Sequence, residues 1–332
     1  MQGVRKQVAV AGRAREFSFL THAMGGDRLT GLTMNVPQRL RMISALTMLV
    51  RPVALVASLI ALLSLHSVPD AEAQLGKPEG LYYKSWAIVI GIEQYVLAPS
   101  IPGAITDAKK VAEAFRQLGF DEVVELYDKD ASSRRVQQLL NDMLPRKVGR
   151  MDRLVLVYVG HAGVMQDSDG QDRSYLVPFD APVNSTAKSI TVEQLKEFTR
   201  RSASKHTFLI LDAPVFGWET TEPPGISLEG RMAPEADTER RAVQVVSAAS
   251  PGQVVGRSDQ GSRFVEALLV GLSGAADLDG DGWLMASELG TYLVRQVEVT
   301  SGGLQRPSSL RIDGDGDMVL VEGKTSRGGV EK

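Results

Sequence analysis

Between residues 82 and 322 the chain alternates continuous apolar runs with stretches in which apolar residues recur every three to four positions. Trp86-Ala-Ile-Val-Ile-Gly-Ile92 and Leu154-Val-Leu-Val-Tyr-Val159, with the runs at 207–211 and 243–247, have the pattern of strands buried on both faces. Residues 122–127 predict a shorter strand, and 175–178 an edge strand after a polar loop at 166–174. Ile105, Ala108, Val111, Ala112, Phe115 and Leu118 keep helical spacing, and Gly119 closes that helix. Further helices are predicted at 131–144, starting near Ser132 or Ser133, and at 192–200, 263–272 and 286–297. Residues 217–240, rich in Pro, Glu and Thr, predict a long loop, and the Asp-Gly repeats at 313–317 predict a hairpin. Strands alternating with helices imply an α/β fold, a three-layer sandwich with a mainly parallel sheet and helices on both faces.

The first 73 residues differ. Apolar residues 52–65 follow Arg39, Arg41 and Arg51 and precede Ala71-Glu-Ala73, the order of positive region, apolar core and small-residue cleavage site in a secretory signal. Its distance from Met1 points to Met34 or Met42 as the start, with an upstream segment before it. The competing reading is an uncleaved membrane anchor over 43–65, with Arg51 inside it. The expected location is therefore periplasmic or extracellular, with a membrane-anchored form as the alternative. Residues 1–73 carry 8 basic and 4 acidic groups, which leaves 29 against 36 and a net charge of −7. That balance gives no electrostatic case for nucleic acid. The 332 residues contain no cysteine, which removes disulfides, thiolate metal sites and any thiol nucleophile.

Candidate chemistry gathers at strand ends, where open α/β sheets collect ligands. The run from Phe208 ends in Asp212-Ala-Pro-Val-Phe-Gly217, and the run from Leu154 passes into Gly160-His-Ala-Gly163. His206, beside Lys205, is expected to be a solvated loop residue. Asp277-Leu-Asp-Gly-Asp-Gly-Trp-Leu-Met-Ala-Ser-Glu288 matches an EF-hand loop: Asp277, Asp279 and Asp281 at positions 1, 3 and 5, Gly282 at 6, the Trp283 carbonyl at 7 and Glu288 at 12. Oxygens at this spacing suit Ca²⁺, although Met285 at position 9 cannot orient a water. The other reading is a plain Asp-Gly turn.

The strand endings, taken in order, resemble the caspase and metacaspase family of cysteine peptidases, peptidase C14. Residues 86–95 look like its first strand, Gly103-Ala-Ile-Thr-Asp-Ala108 like its Asp-Ala segment, residues 157–163 like the strand that ends in its catalytic histidine, and residues 209–217 like the strand that ends in Asp-Ala-Cys. The resemblance covers residues 82–322 and implies a caspase-like sandwich. It places His161 at the imidazole position, with Ala162 as the alternative register, and Pro214 where the nucleophilic cysteine would stand. A retained positional role for His161 and an idle pocket residue are both open. Proline has no nucleophile and no N–H. The resemblance further implies that Asp107 and Asp212 line a pocket for an Arg or Lys side chain; the plainer reading is that Asp107 caps a helix and Asp212 satisfies backbone groups at a turn. The expected function is an exported caspase-like pseudopeptidase that binds a peptide or protein, modulated by calcium. The alternatives are an active endopeptidase cutting after basic residues, if residue 214 is miscalled, and a structural calcium-stabilised domain.

Overall fold

The continuous apolar runs lie side by side in one six-stranded sheet. In the computed structural model, residues 75–76, 80–218, 238–258 and 261–323 are described. The strands of this sheet are β1 (Ser85–Gly91), β2 (Glu122–Tyr127), β3 (Arg153–Val159), β4 (His206–Asp212), β5 (Ala242–Ser247) and β6 (Ser308–Gly314). Their spatial order is β6-β5-β4-β3-β1-β2. The ladders from β2 to β5 are parallel, and β6 closes the far edge antiparallel to β5. β1, β3, β4 and β5 are buried along their whole length, as continuous apolar runs require. Their carboxyl ends come into register, with Gly91 opposite Val159 and Val159 opposite Asp212.

Successive side chains of a strand point to opposite faces, so each run feeds two cores. Ala87, Val89, Val155, Val157, Phe208 and Ile210 pack beneath α1 (Ala104–Gln117), with Phe264 and Leu289 from two further helices. Trp86, Ile88, Ile90, Leu154, Leu156, Leu209 and Leu211 pack on the other face against Val136 of α2 (Ser133–Gln138) and Leu195 and Phe198 of α3 (Val192–Arg201). The two further helices on the first face are α4 (Arg263–Val270) and α5 (Ala286–Thr300). The expected three layers are present. α3 begins with a capping box between Thr191 and Gln194, which satisfies two backbone donors that would otherwise be orphaned.

Several local expectations need correction. The helix predicted over 131–144 is α2 followed by a π turn at Leu139–Met143 and a last α turn at Leu144–Lys147. Pro145 has no N–H for the usual ladder, and the wider π turn lies just ahead of it. Residues 175–178 do not edge the main sheet. Asp172–Leu176 pairs with Ala162–Gln166 and Ile190–Thr191 in a separate antiparallel sheet. Nor do residues 313–317 form a hairpin: the strand after them, Val319–Gly323, pairs with Trp283–Met285 and Leu75–Gly76, away from β6. The turn signal was sound, but Asp317 is buried and accepts hydrogen bonds from Ser287 and Gln244, which steers the chain into a second sheet.

His206 is likewise not solvated. It is fully buried at the start of β4, Nδ1 lies 2.6 Å from the Tyr82 hydroxyl, and Nε2 donates to the Arg240 carbonyl at 2.7 Å. Burial pushes its pKa down to about 4, so it stays neutral. Close by, the fully buried Arg153 donates to the carbonyls of Val319 and Leu320 and to Ser85 Oγ, with its guanidinium over the rings of Phe120 and Tyr82. That cation joins the small sheet to the amino-terminal edge of the large one. Among the described residues no helix is long and apolar enough to cross a membrane. The signal or anchor segment within residues 1–73 lies outside the described residues.

Candidate functional site

β3 and β4 end at the register pair Val159 and Asp212, and the chain continues two residues past each to His161 and Pro214. A Cβ on Gly160 would fall 2.6 Å from both the Tyr95 and the Tyr158 hydroxyls, so only glycine lets these two phenols meet there. The His161 N–H donates to Tyr95 Oη at 2.8 Å, and the Tyr158 hydroxyl donates to the His161 carbonyl at 2.7 Å. Burial raises the pKa of both phenols, so they act as neutral hydrogen-bonding groups. The imidazole packs at 4.8 Å from the Tyr95 ring, and its Nε2 lies 2.8 Å from the Pro99 carbonyl oxygen. A carbonyl only accepts, so this contact assigns a proton to Nε2. Ala162, the alternative in that register, starts the small antiparallel sheet and offers only a methyl group.

Among the described residues, Pro214 stands at the neighbouring strand end, two residues past Asp212. Residues 214–216 hang on Ser174, whose hydroxyl donates to the Pro214 carbonyl at 3.5 Å and accepts from the Phe216 N–H at 3.0 Å. Ser174 is fully buried, so this hydroxyl holds the turn in place and is no substitute nucleophile. Arg173 Nη1 donates to the Gly217 carbonyl, which fixes the far end of the turn. Pro214 itself carries no nucleophilic side chain.

The two candidate acids do come together, and neither does what the plainer reading assigned. α1 starts at Ala104 with Gly103 as N-cap and no side-chain cap bond, so Asp107 lies inside the first turn and does not cap the helix. Its carboxylate accepts the Ser262 N–H at 2.9 Å and bonds to Arg257 Nη2. Asp212 accepts from the Ser262 hydroxyl at 2.7 Å through Oδ1; its Oδ2 is buried, has no hydrogen-bond donor, and lies 3.8 Å from Arg257 Nη1. Arg257 and Ser262 belong to a tight hairpin, Arg257–Ser258 paired with Gly261–Ser262. Gly261 has φ +129°, and a Cβ there would fall 2.2 Å from Asp107 Oδ1, so glycine is needed for the hairpin to sit on the acids. Burial raises the Asp212 pKa to about 7, against the lowering effects of the Ser262 bond and the Arg257 charge; the Asp107 charge adds to the rise. No local pattern marks Arg257 or Ser262 as partners, except that Ser262 stands where α4 needs a cap and does accept from Val265 N–H.

A sequence model of the Caspase domain matches residues 84–311, more than half of the chain. The chain belongs to the caspase-domain family. Among solved structures, it is similar to the crystal structure of protein GSU0716 from Geobacter sulfurreducens, at 15% identity and a TM-score of 0.50, over 69% of this chain and 93% of that one. At that identity the likeness speaks for the fold alone. No curated protein matches the chain.

A third cluster lies apart from the caspase strand ends. Side-chain oxygens of Asp277, Asp279 and Asp281 fall within 4.8 Å of one another. The turn that gathers them has Gly280 and Gly282 at φ +73° and +86°, and the Asp277 carboxylate accepts both of their N–H groups. Trp283 opens a strand, and its N–H donates to Asp281 Oδ1. Glu288 does not join the cluster. It is buried, and its two oxygens accept the N–H groups of Leu278 and Met285, closing the loop from within. Three carboxylates suit a hard cation, and Glu288 would have to exchange backbone donors to become a fourth ligand.

A carboxyl whose folded pKa is raised keeps a proton that the unfolded chain has already released, so its contribution to stability falls as pH rises from its unfolded to its folded value. For Asp212 that window runs from about pH 4 to about pH 7. The Asp212→Asn protein, which mimics the protonated form, is expected to melt above the unmodified protein at about pH 8, with the difference closing towards about pH 4. Melting curves across that range check it; a difference independent of pH would contradict the assignment.

Proposed function

We propose that this chain is an exported caspase-like pseudopeptidase, which binds a peptide segment or protein partner without cutting it. The observation that carries the reading is Pro214 at the end of β4, in a chain with no cysteine. Peptide cleavage by the family's chemistry needs a thiolate to attack the carbonyl and an imidazole to protonate the leaving amine. His161 is held through Nε2 by the Pro99 carbonyl, and the Ser174 hydroxyl is committed to the Pro214 turn. Proline also takes away a backbone N–H where an oxyanion would be held. The partner segment would cross the strand ends between these residues. Asp107 and Asp212 would receive an Arg or Lys side chain through charge-assisted hydrogen bonds, provided Arg257 gives way.

The Asp277, Asp279 and Asp281 cluster favours a second role, a calcium-stabilised loop that braces α4 against α5. The ion would neutralise three carboxylates that now accept backbone N–H groups. Both roles fit one molecule.

Purified mature protein incubated with Arg- and Lys-containing peptides and Ca²⁺ is expected to release no products by mass spectrometry. Turnover that disappears in the His161→Ala protein would overturn the pseudopeptidase reading. In a parallel melt, Ca²⁺ is expected to raise the midpoint and a chelator to lower it, with the response lost in Asp277→Asn/Asp279→Asn; an unchanged midpoint would argue against the loop as a calcium site.

A further inference from the structure

The acidic pocket is not waiting for a ligand. Asp107 and Asp212 are each 2% exposed at the side chain, and the group between them and solvent is Arg257, 23% exposed. Arg257 stands 150 residues from Asp107 in sequence and reaches it from the hairpin that also delivers the Ser262 N–H and hydroxyl. One hairpin therefore supplies a donor or a cation to both acids, and Gly261 is the residue that permits its approach. The arrangement sets a partly exposed guanidinium against two buried carboxylates.

We propose that Arg257 is the resident ligand of this pocket, and that by occupying it Arg257 decides which outside groups can enter. The inference rests on the reading of Asp107 and Asp212 as a cation site, and it holds whether or not the protein cuts peptides. Two buried carboxylates without a cation are costly. With Arg257 in place, one carboxylate is paired, while Asp212 keeps Oδ2 without a donor. An Arg or Lys side chain from a partner gains nothing from the pocket until the hairpin lifts Arg257 out. The exposure of Arg257 makes that exchange feasible, because its guanidinium already borders water. The Arg257 side chain is thus a plug that an incoming basic group must displace.

The chemistry predicts a guanidinium-shaped vacancy when the plug is cut back. Ethylguanidinium reproduces the part of the side chain that Arg257→Ala removes, and it can be titrated into unmodified protein, Arg257→Ala and Arg257→Ala/Asp107→Asn by calorimetry and by thermal melts. Arg257→Ala is expected to melt lower than the unmodified protein, to recover on adding ethylguanidinium, and to bind it at least about tenfold more tightly than the unmodified protein does. The double variant is expected to lose that binding. Equal binding by the unmodified protein would overturn the proposal, as would a folded Arg257→Ala that takes up no ligand. Should Arg257→Ala be unfolded, refolding on addition of ethylguanidinium supports the proposal, and Arg257→Gln serves as the second variant; failure of the ligand to rescue either one overturns it. The readout is ligand binding, so peptide cleavage by the unmodified protein would sink the pseudopeptidase reading and leave this one standing.

Discussion

Two carboxylates buried at the carboxyl edge of a parallel sheet have to be given donors, and much of this molecule's geometry follows from how that is done. Asp212 ends β4, and Asp107 sits in the first turn of α1, so the strand order and the helix above it bring the acids together. Neither position has enough local donors of its own. The hairpin 257–262 supplies them, and in doing so it sets the start of α4, because Ser262 caps that helix while bonding to Asp212. A single serine thus couples the site to the helical layer. The acids are a junction of the fold.

The other end of the same edge is equally well held. The glycine at 160, the Tyr95 and Tyr158 phenols and the carbonyl of Pro99 hold His161 in place. On the neighbouring strand end, the turn at Pro214 is held by Ser174 and Arg173. The proposed binding role rests on these two supported strand ends, where open α/β sheets collect ligands.

How much of this was legible in the sequence follows from the range of each interaction. Apolar runs and helical spacing are local properties, and they gave the strands, the helices and the mainly parallel sheet. Pro214 and the absence of cysteine are plain in the residues themselves. The partners of the acids were not legible, because Arg257 and Ser262 meet Asp107 across about 150 residues of intervening chain and no local pattern marks them. His206 beside Lys205 looked solvated, and its burial is decided by Tyr82 and Arg240, both far away in the chain. The Asp-Gly stretch at 313–317 was correctly a turn, but a turn does not say which strands it joins; that was set by the buried Asp317. Glu288 had the right spacing for a ligand and found backbone donors at shorter reach.

Binding without cleavage is the central claim, and it is tested most directly by titrating an Arg-containing peptide into the purified mature protein by calorimetry and then weighing the recovered peptide by mass spectrometry. Saturable binding with the peptide recovered intact is the result expected of a site that holds His161 but offers Pro214 in place of a nucleophile. Shortened peptide in the recovered sample, or no binding at any concentration, would contradict it.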